Sequence, residues 1–207
     1  MLLASMTDIR ERLGFDDMTD INFAATMALD AATPQIEAML NTSFTQGSCV
    51  ETFFVEKPPY MNRQAFRTKF RLNNGFVTLT SVKSAYELAA FSEQTPNGSF
   101  KDVTGTVIVD TDRGIVDDIN NRYTLQYVQI AYTAGFPVDG VNADSYDLTA
   151  IPDWLQQAAK LRAMIGMADD AAVSEAGIKL DTKMIWAQFN ALVSRKMRYA
   201  PTAKMPL

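Results

Sequence analysis

Apolar residues fall on two different periods along the chain, helical at both ends and strand-like between. Ile21, Ala25, Leu29, Ala32, Ile36 and Met39 follow one another at intervals of three and four, which predicts a helix with one buried face. Pro34 lies within that stripe, and either kinks the helix or sits in the first turn of a new one capped by Thr33. Before it, "TDIRERLG" (residues 7–14) has a capping threonine, an early acid and a closing glycine, the marks of a short helix. Near the C-terminus Trp154, Ala158, Leu161, Ile165 and Ala168 form a second stripe behind Pro152. Past Gly177, Ile185, Phe189 and Leu192 repeat the pattern, and Trp154, Leu161, Ile165 and Phe189 are the expected core of these helices.

From Cys49 to about Tyr132 the period is two. In "AFRTKFRL" Phe66, Thr68, Phe70 and Leu72 alternate with Arg67, Lys69 and Arg71, a strand with an apolar and a basic face. Asn73, Asn74 and Gly75 tolerate positive φ, so the segment through "FVTLTSV" reads as a compact hairpin. "TVIV" and "GIV" flank the turn residues Asp110 to Arg113, and "LQYVQIAY" (residues 125–132) is a further strand. "AGFPVDG" opens a polar loop that lasts to Thr149. The expected fold class is α+β: a helical core bundle, a central antiparallel β insert and an extended C-terminal arm. The boundaries are residues 1–48 and 150–194 for the helical core, 49–149 for the insert and its loop, and 195–207 for the arm.

Composition changes this picture mainly by exclusion. With 47% hydrophobic and 21% charged residues the chain is neither disordered nor membrane-like, and no run approaches the ~18 apolar residues of a spanning helix. The N-terminus lacks a basic start and a long apolar run, and the one cysteine, Cys49, permits no internal disulfide and suits a reducing compartment. The net charge of −5 is unevenly spread. Residues 195–207 hold Arg195, Lys196, Arg198 and Lys204 and no acid, which leaves 15 basic against 24 acidic residues in the body. An acidic body of this kind disfavours tight phosphate binding.

Candidate chemistry is sparse. The absence of histidine removes the commonest general base, zinc ligand and nucleophile partner. The ten glycines include no phosphate-binding loop or dinucleotide fingerprint, and no cofactor is expected. Asp110, Asp112, Asp117 and Asp118 could gather round a hard cation, but they lack the spacing of a calcium loop and read first as turn acids. Asp16, Asp17 and Asp20 precede a helix and read as dipole partners. Tyr123, Tyr127 and Tyr132 could stack on bases, a reading the acidic body opposes.

The ordered segments "TDIRERLG", "QIEAMLNTSF", "RLNNGFVTLTSVK", "VQIAYTAGF" and "IPDWLQQAA" resemble the head-tail connector (adaptor, or head-completion) proteins of tailed bacteriophages. The resemblance covers most of the chain in order. It implies a non-enzymatic virion protein of the neck, assembled in the host cytoplasm as a homo-oligomeric ring, commonly a dodecamer, beneath the portal. Such a ring extends the DNA channel without reading sequence and presents a platform to the next neck or tail component. A C-terminal arm reaching the portal would comprise Arg195, Lys196, Arg198, Tyr199, Pro201, Lys204 and Leu207. Arg67, Lys69 and Arg71 would meet a neighbouring subunit or neck protein. Alternatives are a tail-terminator or stopper-like neck protein, a carboxylate- and metal-dependent hydrolase on the four aspartates, and a carbohydrate-binding β module.

Overall fold

The computed structural model describes residues 1–13, 19–54, 69–85, 100–118, 127–142, 144–168, 173 and 179–197. Arg67, Asp16, Asp17, Gly177, Tyr123 and the arm from Arg198 onward lie outside the described residues, as do the side chains of Asp20, Ile21 and Asp118. The fold is α+β, and the chain divides into a helical unit, Met1–Thr42 with Phe136–Arg198, and a β unit, Ser43–Gly135.

The helical unit contains α1 (Met6–Leu13), α2 (Thr19–Leu40), α3 (Asp153–Met167) and α4 (Thr182–Val193). Helix α2 is a single helix through Pro34, which resolves the two readings of that proline. Its buried face is Ala25, Leu29, Ala32, Ile36 and Leu40. Thr33, also buried, has its hydroxyl 2.9 Å from the Met1 carbonyl and 3.3 Å from that of Leu29, so its one proton ties the N-terminal segment to the helix.

Helix α3 packs against both α2 and α4. It therefore buries a band wider than one stripe: Leu155, Ala158, Ala159, Leu161, Ala163, Met164 and Met167. Of the expected core residues Leu161 and Phe189 are buried, whereas Trp154 and Ile165 are half-buried. The buried band is centred nearer the row Leu155, Ala159, Ala163 and Met167, which places those two residues at its margin. Helix α4 packs through Ile185, Phe189 and Val193, and Asp181 caps it by accepting the Met184 N–H at 3.1 Å.

The loop after Phe136 belongs to the helical unit rather than to the β insert. Its segment near Ser145 forms a parallel bridge with Leu2, with Leu2 N–H donating to Asp144 and Tyr146 N–H to Leu2. The Phe136 and Tyr146 rings meet edge to face, 6.2 Å between centroids.

Among the described residues the β unit has seven strands: β1 (Gly47–Phe54), β2 (Lys69–Arg71), β3 (Val77–Ala85), β4 (Phe100–Asp102), β5 (Val107–Asp110), β6 (Ile115–Asp118) and β7 (Tyr127–Ala134). They form two antiparallel sheets, ordered β1-β7-β3-β4 and β2-β6-β5. The expected hairpin through Asn73–Gly75 is therefore corrected: β2 and β3 belong to different sheets. The amides after β2 find partners elsewhere, Leu72 N–H on Gly114, Phe76 N–H on Asp112 and Val77 N–H on Thr111. Phe76 takes φ 52°, turning the chain out of one sheet into the other. The hairpin expected at Asp110 to Arg113 is present as β5 and β6. Val128, Ile130 and Tyr132 of β7 pack with Val77 and Val82 of β3 and with Phe70, Leu72 and Val116 to form the β core.

Candidate docking surfaces

In the helical unit Phe23 and Met27 of α2 and Met184 of α4 are exposed apolar residues on helix faces turned away from the core. On α2, Phe23 is 71% and Met27 56% exposed. With Ala31, Pro34 and Ala38, also exposed, they form a second stripe opposite the buried one. Each such Phe or Met would gain about 1.5–3 kcal/mol if fully buried, so the stripe suits covering by a partner. On one flank the stripe borders a groove of about 300 Å³, floored by Ala28, Arg162, Gly166 and Met167. A Cβ added at Gly166 would lie 3.7 Å from that of Ala28.

Arg162 spans the groove wall, its guanidinium carbon 5.4 Å from the centre of the Trp186 ring on α4. Desolvation holds its pKa below the ordinary arginine value. Trp186 in turn meets Phe189 edge to face at 5.5 Å. The outer side of α4 carries Lys183, Met184, Ala187 and Ala191, all exposed, Met184 to 55%.

The start of the expected arm is attached to this unit. Lys196 and Met197 donate their amides to the Val193 carbonyl, extending α4 by a turn, and Lys196 Nζ sits 5.2 Å from the Trp154 ring centre. Trp154, expected in the core, thus carries an ammonium on its face. Arg195 is exposed.

In the β unit, Lys69 is exposed and faces Asp117 across β2 and β6, Nζ to Oδ2 3.7 Å. Arg71 is half-buried on the same strand. Among the acids weighed for a cation, Asp110 accepts the Arg113 N–H at 3.1 Å and pairs with its side chain at 3.9 Å, closing the β5-β6 turn. Among the described residues no three carboxylate or thiol groups converge on one point. Val50, Phe54 and Ile108 are exposed apolar residues of this unit.

A buried polar cluster was not foreseen. Glu51 Oε1 accepts from the Tyr132 hydroxyl at 2.5 Å and from the Asn73 N–H at 2.8 Å. Asn74 Nδ2 lies 3.6 Å from Cys49 Sγ beside it. Burial, reinforced by Glu51, pushes the Tyr132 hydroxyl well above its ordinary pKa, so it stays a donor at neutral pH. The signal in the sequence was Glu51 itself, an acid on the face that Cys49 and Phe53 mark as inward. The α2 surface also had one: Phe23, Met27 and Ala31 recur every four residues in a helix with few charges.

No family model and no curated protein matches the sequence. Solved structures do. The chain is similar to one in the neck of an empty gene transfer agent particle computed with C6 symmetry, at 18% identity and TM-score 0.43 over 99% of this chain and 94% of that one. A chain in the neck of the native particle computed with C12 symmetry matches at 18% identity and TM-score 0.39, over 97% and 92%. A chain in the virion of the native gene transfer agent particle matches at 20% identity and TM-score 0.40, over 97% and 92%.

Proposed function

We propose that this chain is a structural virion protein, an adaptor subunit of a neck ring that lies beneath a portal, extends the DNA channel and joins head to tail. The observation that carries the reading is the exposed apolar face of α2, Phe23 and Met27 foremost. It belongs to a unit that presents an interface and, among the described residues, no converging ligand set. The ordered motifs that resemble head-tail connectors fall on defined elements of this fold. "TDIRERLG" supplies most of α1, "QIEAMLNTSF" the end of α2, "VQIAYTAGF" most of β7 and "IPDWLQQAA" the start of α3. An excess of acids in the body suits a conduit, because clustered cations would hold the passing duplex.

In this reading the portal-binding arm comprises Arg195, Lys196, Arg198, Tyr199, Pro201, Lys204 and Leu207. Arg67, Lys69 and Arg71 dock a neighbouring subunit or the next neck component. An arm of this kind gains main-chain hydrogen bonds and side-chain pockets on a partner at an entropic cost. Removing residues 198–207 leaves Lys196 on Trp154 and is expected to abolish portal docking with the fold unchanged. Unchanged docking overturns the arm assignment. Binding to a tail tube with none to a portal would instead favour a terminator or stopper.

A further inference from the structure

We infer that the ring contact is made between opposite edges of the helical unit: the outer face of α4 in one copy packs on the outer face of α2 in the next. This rests on the ring reading above and names the surface it uses. Helix α3 is covered by α2 and α4, so these two are its outer neighbours, and each shows small and apolar residues outward. On α2 they are Phe23, Met27 and Ala31, and on α4 Met184, Ala187 and Ala191. Small residues at both faces permit close helix approach, and Phe23 and Met27 project far enough to fill the gaps between them.

Charge selects the pairing. Helix α2 holds Asp20, Asp30 and Glu37 and no basic residue. Helix α4 itself holds Lys183, on its outer face, and no acid, while Lys196 beyond it is turned onto Trp154. Asp30 also accepts the Met1 ammonium at 2.9 Å yet remains exposed beside the stripe. An α2-to-α2 contact would oppose like charges, as would α4 to α4, whereas α2 to α4 opposes unlike ones. A contact between two different faces of the same chain is heterologous, and successive copies close into a ring when the rotation permits.

The test is disulfide trapping in the full chain, with Cys49→Ser as background. Met27→Cys, Ala31→Cys or Ala38→Cys is combined with Met184→Cys, Ala187→Cys or Ala191→Cys, under conditions in which the parent assembles, alone or on a portal. All these positions are exposed, and unchanged melting temperatures verify folding. At least one double variant is expected to give a covalent ladder of multimers, while single variants stay monomeric on a denaturing gel and a mixture of the matching singles links in pairs. Dimers from an α2 single variant by itself overturn the inference in favour of a two-fold contact. Assembly of the parent with no ladder from any pairing also overturns it and leaves the ring reading standing. A parent that is monomeric with and without portal removes the ring reading, and this inference with it.

Discussion

At the scale of single residues, two positions carry costs that can be measured. Gly135 sits at φ +80°, and a Cβ there would come 2.5 Å from the Phe44 and Thr45 carbonyl oxygens. Gly135→Ala is therefore expected to destabilise by more than about 2 kcal/mol, from positive φ and a clash with backbone, in denaturant titration. Tyr132→Phe removes the buried donor to Glu51 and should cost about 1.5–3 kcal/mol, a smaller loss arguing that the Asn73 amide alone satisfies that oxygen. The same pair sets a pH dependence. Because the folded state holds the Tyr132 proton more tightly than the unfolded state does, its stabilisation is intact below the ordinary tyrosine pKa of about 10 and is lost as pH rises beyond it. Alkaline melting curves of Tyr132→Phe should accordingly fall less steeply above that pH than those of the parent. In the sequence Gly135 reads only as part of the loop opening "AGFPVDG", and Glu51 as an acid on a strand face shared with Cys49 and Phe53. Their partners, 81 and about 90 residues away in the chain, are set only by strand pairing.

At the scale of elements, local period was a good guide and pairing was not. The stripe of α2 and the short span of α1 were legible because both come from spacing within a single element. The hairpin at Asn73 to Gly75 was misread because turn chemistry says that the chain can reverse, not which strand it will meet. Here Phe70 and Val116 pair across β2 and β6, and Asn73 gives its amide to Glu51 instead of closing a loop. On α3 the single-stripe reading placed Trp154 in the core, but a helix packed on two sides buries a broader band and leaves that indole at the margin under Lys196. Helix ends follow local rules, so Asp181→Ala is expected to lower stability by about 1 kcal/mol through loss of the α4 cap, a change readable by thermal melting.

At the scale of the whole molecule, the proposed function rests on exposed surfaces, the outer faces of α2 and α4 foremost. The apolar outer faces of α2 and α4 escaped the sequence reading, which treated each helix as having one apolar side. Phe23, Met27 and Met184 lie off those buried stripes and so drew no attention. The basic strand face was legible as a pattern, yet Lys69 already faces Asp117, which reduces the charge it offers to a partner. Lys69→Gln is expected to weaken assembly while shifting the melting temperature little, since an exposed pair of this kind contributes only about 0–1 kcal/mol. Intact assembly of that variant would reduce the basic face to a solvated one. The central claim is that this chain is a ring-forming neck subunit, and the most direct measurement is the mass of the purified full chain in solution with and without a portal ring. A closed multimer of defined subunit number, alone or seated on the portal, is the predicted result; a monomer in both conditions, with no co-assembly, would contradict it.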